Sequence, residues 1–490
     1  MPSSSSVMRH LTIAAVTAVL AVVTGCSGIG NDPPAPTDGT EPQNEYWVWV
    51  SGSTGVNDAG VYGSLGVATD STTPGAREYP VSWATPDGRL WLFGGEGRDA
   101  SGTLGRLNDL WVYSPGDGRW TWIKGSSMVN ASGDYGVLPG EPGSDRTPGA
   151  RRRTSSWTGA DGRLWLFGGD GFDAEGTNSR QNDLWVYDPQ IDMWTWVAGS
   201  NLADDPGDHG EKGDPDPGNR PGARRGAVTW TDVDGVLWLL GGRGDYDDGD
   251  EITLDEWNDL WTFEIDSDDP NNGVWTWVGG DDTPGALGVY GIRGEASAAN
   301  APGARRDSVT WVGPDRTLWL FGGAGYDSEG SASNLNDLWQ FDIDAGQWTW
   351  ISGESGGGQA SGVYGVRGVA AAANAPGARR DAVGWTDQEG TLWLFGGRGR
   401  NEAGAVVNLD DLWAYSPSTG QWTWISGSKS GDRPAQYGSK GVPSVAAAPG
   451  SRRDATSARA VSGELWLYGG TSQIAGGGSG LKNDLWRYRP

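Results

Sequence analysis

A chain of 490 residues with 63 acidic and 36 basic side chains carries a formal net charge of −27. Such a body repels nucleic acid and anionic lipid, and solubility is the plain account of the acidity. One cysteine excludes a disulfide framework, and two histidines exclude catalysis or metal binding built on several imidazoles.

Residues 11–23 are an apolar run of 13 residues behind Arg9 and His10, too short to span a bilayer comfortably and suited to the core of a secretory signal. The run ends in VTGC (23–26), which resembles the lipobox of bacterial lipoproteins. That resemblance makes 1–25 a signal peptide, Cys26 the lipidated residue, and a cell envelope the destination; Ser27, rather than Asp, is compatible with outer-membrane sorting. The other reading is an unlipidated signal peptide with a chance cysteine. Residues 26–44, rich in Pro, Gly and small polar side chains, read as a flexible tether after the lipidated cysteine. Removing 1–25, which hold one arginine and no acid, moves the formal charge to −28. The membrane is then reached only through the lipid.

From residue 45 onward the chain repeats. LWLFGG or a close variant occurs at 90–95, 164–169, 237–242, 318–323, 392–397 and 465–470, each preceded by PGAR or PGSR and followed by NDLW or DDLW. In the fifth copy DAVGWTD, TLWLFGG, DLWAYSP and QWTWISG predict four short strands, with tight turns between the first and second and between the third and fourth. Leu392 and Leu394 take one face of the second strand and Trp393 and Phe395 the other, so both faces of each sheet need a neighbour. A ring of sheets supplies one on each side, which predicts an all-β, single six-bladed β-propeller with four-stranded antiparallel blades. The sixth copy lacks its WTW strand, and EYWVWVSG (45–52) aligns with QWTWISG (421–427), so the N-terminal strand (45–50) is expected to close the last blade of a 45–490 domain.

The Gly-Gly pair after an apolar strand, followed by an aromatic and a Trp at fixed spacing (Tyr113 and Trp120, Tyr187 and Trp194, Phe341 and Trp348, Tyr415 and Trp422), resembles the kelch repeat. Phe263 and Trp275 are spread by an insertion. Successive Gly-Gly pairs lie 73 to 81 residues apart, against about 50 for kelch repeats, and the excess is loop. The resemblance extends to the central domain of galactose oxidase. The copper site of that enzyme needs histidines, tyrosines and a cross-linked cysteine, and with His209 alone in the mature chain and Cys26 at the anchor position the inventory excludes that chemistry.

Strand alternation puts the longer connections on one rim, where binding residues are expected. Three recurrent features reach it. Arg77, Arg151, Arg224, Arg305, Arg379 and Arg452 open the first strand of each copy. They read either as a guanidinium ring for a carboxylated or phosphorylated ligand or as scaffold pairs with Asp109, Asp183, Asp259, Asp337, Asp411 and Asp484. Tyr62, Tyr135, Tyr290, Tyr364 and Tyr437, with His209 in the third copy, read either as an aromatic collar or as loop anchors. Acid in the loops between second and third strands, as at 325–330 and 244–251, reads either as solvated charge or as a calcium loop, without the full spacing of a calcium motif, and 244–251 is the stretch to test. Nearly all of the 30 tryptophans fall at repeat positions and read as packing; Trp257 is the exception, and Ala458 stands where the sixth copy lacks one.

Two function classes follow. The first is a non-catalytic, monomeric, envelope-anchored binding or scaffold propeller that recognises a protein or carbohydrate through the long-loop rim, without a cofactor. The second, by resemblance to kelch propellers that epimerise sialic acid, is a carbohydrate-active enzyme using Arg and Glu in the channel. Glu78, in place of the second Arg of the first copy, is its candidate residue.

Overall fold

The computed structural model describes residues 46–247, 252–313, 315–357, 359–460 and 463–489. The signal peptide, Cys26 and the tether expected over 1–44 lie outside the described residues, as do 248–251 of the acidic loop. Every regular element among the described residues is a β-strand. In the first repeat Val81–Ala84, Leu90–Phe93, Leu110–Ser114 and Arg119–Lys124 pair in that order, each antiparallel to the next. The same four-strand path recurs in the other repeats. All four side chains of Leu90–Phe93 are buried, as a strand covered on both faces requires.

The last sheet draws on both ends of the chain. Tyr46–Ser51 pairs with Leu485–Arg489, which pairs with Leu465–Tyr468 and then Thr456–Arg459. Trp47 stands opposite Tyr488 and Trp49 opposite Trp486, the register that sets Trp422 opposite Tyr415 and Trp424 opposite Trp413. The strand expected at 45–50 is therefore present, from Tyr46 to Ser51.

Packing proceeds from repeat to repeat. Each hydrophobic cluster joins two neighbouring repeats, and one joins the first to the last through Leu90, Leu92, Trp111 and Trp120 against Trp466 and Tyr468. The first strands lie side by side in the same order, so that Val81–Ala84 touches both Ser155–Thr158 and Thr456–Arg459. Indole N–H groups of these strands reach the second strand of the next repeat: Trp157 Nε1 donates to the Trp238 carbonyl (2.8 Å), Trp230 to Trp319 (3.0 Å) and Trp311 to Trp393 (2.9 Å). Ala458 can make no such bond. The second glycine of the Gly-Gly pair serves the same junction, with Gly95 N donating to Arg151 O (2.8 Å) and Gly470 N to Arg77 O (2.9 Å). Gly95 has φ +93°, and a Cβ there would stand 2.7 Å from the Glu78 carbonyl, so no larger residue fits.

The long connections between repeats do not simply crowd one rim. They run down the outer strand of the repeat that follows: Gly66 N donates to Trp122 O, Gly294 N to Trp350 O and Gly368 N to Trp424 O, each at 2.8 Å. Gly441 N reaches Trp49 O in the same manner at 2.7 Å. The loops thereby cover the exposed edge of each sheet, which would otherwise template pairing with another chain.

Candidate functional site

The repeated arginines and aspartates meet inside the protein. Arg77 Nη1 and Nη2 donate to Asp109 Oδ1 and Oδ2, each at 2.7 Å, and its remaining donors reach the Gly94 and Gly75 carbonyls. The same two-pronged pair forms between Arg151 and Asp183, Arg224 and Asp259, Arg305 and Asp337, Arg379 and Asp411, and Arg452 and Asp484. All twelve side chains are at most 1% exposed. Each aspartate also accepts at Oδ2 from the tryptophan two residues on, as Trp111 Nε1 does at 2.7 Å.

The rim tyrosines complete the same knots. Tyr62, Tyr135, Tyr290, Tyr364 and Tyr437 donate their hydroxyls to Oδ2 of Asp109, Asp183, Asp337, Asp411 and Asp484 at 2.6–2.8 Å. His209 Nε2 takes that place against Asp259 at 3.2 Å. Burial pushes the Asp259 carboxyl up, but Arg224 and His209 outweigh it and hold the group at about 2. Burial first, then Asp109, pushes the Tyr62 hydroxyl far above its ordinary value. The arginines and the tyrosines are engaged with the aspartates, and each knot ties a loop, an inner strand and a third strand together. Removing one partner strands a buried charge, at a cost of about 3–5 kcal/mol.

The six-fold repetition breaks two residues after the knot arginine, at Tyr79, Arg153, Gly226, Asp307, Asp381 and Asp454. All six have φ between 53° and 65°, a left-handed conformation costly for tyrosine and arginine and easier for aspartate. Their backbones bond in sequence: Gly226 N to Arg153 O (2.9 Å), Asp307 N to Gly226 O (2.9 Å), Asp381 N to Asp307 O (3.1 Å), Asp454 N to Asp381 O (3.2 Å) and Tyr79 N to Asp454 O (2.8 Å). A cavity of about 200 Å³ lies against this throat.

The throat side chains differ in charge and partner. The Arg153 guanidinium lies 4.0 Å over the Tyr79 ring, donates to its hydroxyl, and pairs with Asp307 at 2.5 Å. Arg306 also donates to Asp307, at 2.7 Å, and Arg380 to Asp381, at 3.1 Å. Asp454 has Arg453 at 3.3 Å but no hydrogen bond to either carboxylate oxygen, although the side chain is fully buried. Burial and then Asp381 push the Asp454 carboxyl well above its ordinary range. Asp381 is raised too, by burial and by Asp307. Asp307 is held low, Arg153 and Arg306 outweighing its burial. Neighbouring carboxyl groups raised in this way are suited to giving and taking a proton.

Sequence reading passed over these aspartates because their neighbours repeat in every copy and they occur in only three; the signal was the run REY, RRR, RRG, RRD, RRD, RRD in successive copies. Glu78, the channel candidate, instead bonds the Thr471 hydroxyl of the sixth repeat. Past the throat the first strands line a second cavity of about 630 Å³, with Thr158, Thr229, Thr231, Thr310 and Thr386 on its wall. In the acidic loop, Asp245 is engaged by Arg180 at 2.8 Å.

No protein-family model matches this chain, and a comparison with curated proteins finds no match.

Proposed function

We propose that this chain is a closed six-bladed β-propeller of kelch type, tethered to a bacterial envelope by a lipid on Cys26, which binds a protein or glycan through the rim around the throat. Closure is supported by the pairing of Tyr46–Ser51 with Leu485–Arg489 and by the cluster joining the first repeat to the last. The observation that carries the binding reading is the contrast between the knots and the throat. Six equal Arg–Asp–Trp knots serve a scaffold, whereas a ring that mixes Tyr, Arg, Gly and three Asp in left-handed backbone supports a role other than folding. Full-length protein on a glycan array and in an envelope pull-down tests the reading. A hit lost when residues around the throat are exchanged, and kept when the short turns such as 85–89 are exchanged, supports it; the reverse pattern, or no hit in either assay, overturns it.

A second reading has its own observation. Asp454, buried without a hydrogen bond beside Asp381 and against a cavity, has the makings of a proton donor for a carbohydrate-active enzyme. On this reading Asp454, rather than Glu78, carries the chemistry. Turnover of any sugar in a panel that Asp454→Asn abolishes and Glu78→Gln spares supports it, and an inert wild-type protein removes it.

A further inference from the structure

One rim position breaks the symmetry in halves. The residue following each Gly-Gly pair faces a partner on the third strand: Glu96 opposite Arg106, Asp170 opposite Arg180 and Arg243 opposite Glu256. These three repeats set opposite charges across the ladder. The other three place Ala324 opposite Asn334, Arg398 opposite Asn408 and Thr471 opposite Leu481, with no carboxylate in any pair.

The neighbouring arginines feel the difference. In the second, third and fourth repeats the arginine after the knot arginine finds a rim carboxylate of the repeat before it: Arg152 meets Glu96 at 2.6 Å, Arg225 meets Asp170 at 2.5 Å and Arg306 meets Glu256 at 3.0 Å. Arg380 has Ala324 where Arg152 has Glu96, and it spends itself on Asp381 and, at 3.4 Å, on Asn334 Oδ1. Among the described residues no carboxylate pairs with Arg398 or Arg400; Arg400 donates to the Gly404 carbonyl, and its Nε is buried without a partner. In a chain of formal charge −27 this is a basic island.

At its edge lies a groove of about 300 Å³ lined by Arg306, Arg380, Arg400, Ala324, Asn334 and Glu256. We propose that this groove, between the fourth and fifth repeats, binds the carboxylate of a small organic acid. The inference rests on the rim being the binding face and names the chemistry taken there. The volume is at the lower end for ligand sites, which suits an acid the size of one sugar or amino acid. Guanidinium donors left over from internal pairs meet a carboxylate in plane. A single negative charge also suits the place better than a phosphate, which carries close to two, because Asp307 and Asp381 stand just behind Arg306 and Arg380.

The test is titration calorimetry of the full-length protein with D-glucuronate, L-glutamate and L-lactate, with D-glucose and inorganic phosphate as the neutral and dianionic comparisons. At least one acid is expected to bind with a Kd of about 1 mM or tighter, and Arg380→Gln or Arg400→Gln to weaken it about tenfold. Ala324→Glu supplies the carboxylate that Glu96 offers Arg152, keeps every arginine, and is expected to abolish binding. Arg152→Gln, in the charge-paired half, is expected to leave it unchanged. No acid binding at that level, tighter binding of phosphate, an equal loss in Arg152→Gln, or full binding in Ala324→Glu overturns the proposal. Array or pull-down hits that survive Ala324→Glu would leave the rim reading standing while this one falls.

Discussion

Asp410 offers a quantitative check on how the repeats are built. The residue before the knot aspartate is Asn108, Asn182, Asn258, Asn336 and Asn483 in five repeats and Asp410 in the fifth. Asn108 accepts from Ser126 N at 3.0 Å and donates to the Pro148 carbonyl at 3.2 Å. Asp410 accepts from the Ser428 hydroxyl at 2.8 Å but lies buried beside Asp411. Burial, with Asp411 adding like charge, pushes its carboxyl from 3.8 to about 6 despite the Ser428 bond. That gap corresponds to about 3 kcal/mol. The folded value is the higher one, so the folded state holds the proton more tightly. Stability is therefore unaffected by ionisation below about pH 4, falls as pH rises from about 4 to 6, and is reduced by the full amount above that window. Asp410→Asn removes the charge and restores the side chain of the other repeats. It is expected to stabilise the protein at pH 8 by up to about 3 kcal/mol and to do little at pH 3.5. With an unfolding entropy of about 2.1 cal/mol/K per residue over roughly 440 residues, the gain in Tm is about 3 °C. Paired calorimetric scans of wild type and variant at the two pH values measure it. Equal gains at both values, or a less stable variant at pH 8, would refute the reasoning.

Other perturbations bear on closure and on the knots. Trp47 is 5% exposed and packs on Phe395 and Tyr488 at ring separations of 5.1 and 5.0 Å; Trp47→Ala is expected to cost about 3–5 kcal/mol in denaturant unfolding, and an unchanged midpoint would sink the account of the N-terminal strand. Asp337→Asn leaves Arg305 buried without its countercharge and is expected to cost about 3–5 kcal/mol, with Ser439→Ala on the surface as the neutral comparison. Asp259, held at about 2 against an ordinary 3.8, stabilises the fold above about pH 4. That contribution is lost as pH falls through about 2, so Asp259→Asn should narrow its stability deficit towards wild type in acid unfolding; a deficit constant from pH 7 to pH 2 would contradict the pairing.

The strands were legible in the sequence because their signals are local and repeated. Apolar runs covered on both faces, turn dipeptides and the tryptophan pairs can each be read without knowing what lies beside them. Matching Trp47 and Trp49 to Trp422 and Trp424 was enough to place Tyr46–Ser51 against Leu485–Arg489. The knots were half legible: the equal spacing of Arg77 and Asp109 in successive copies suggested a pair, but the choice between a pair and a ligand ring depends on burial, a property of the packed molecule.

Tertiary structure alone decided the rest. The path of the connecting loops down the outer strands depends on backbone bonds such as Gly66 N to Trp122 O, between groups that every residue carries. The throat depends on six residues far apart in the chain, each unremarkable until the left-handed turns bring Tyr79, Arg153, Asp307, Asp381 and Asp454 together. A repeat announces itself by recurring; a site made from the differences between repeats has chemistry only once the sheets stand side by side.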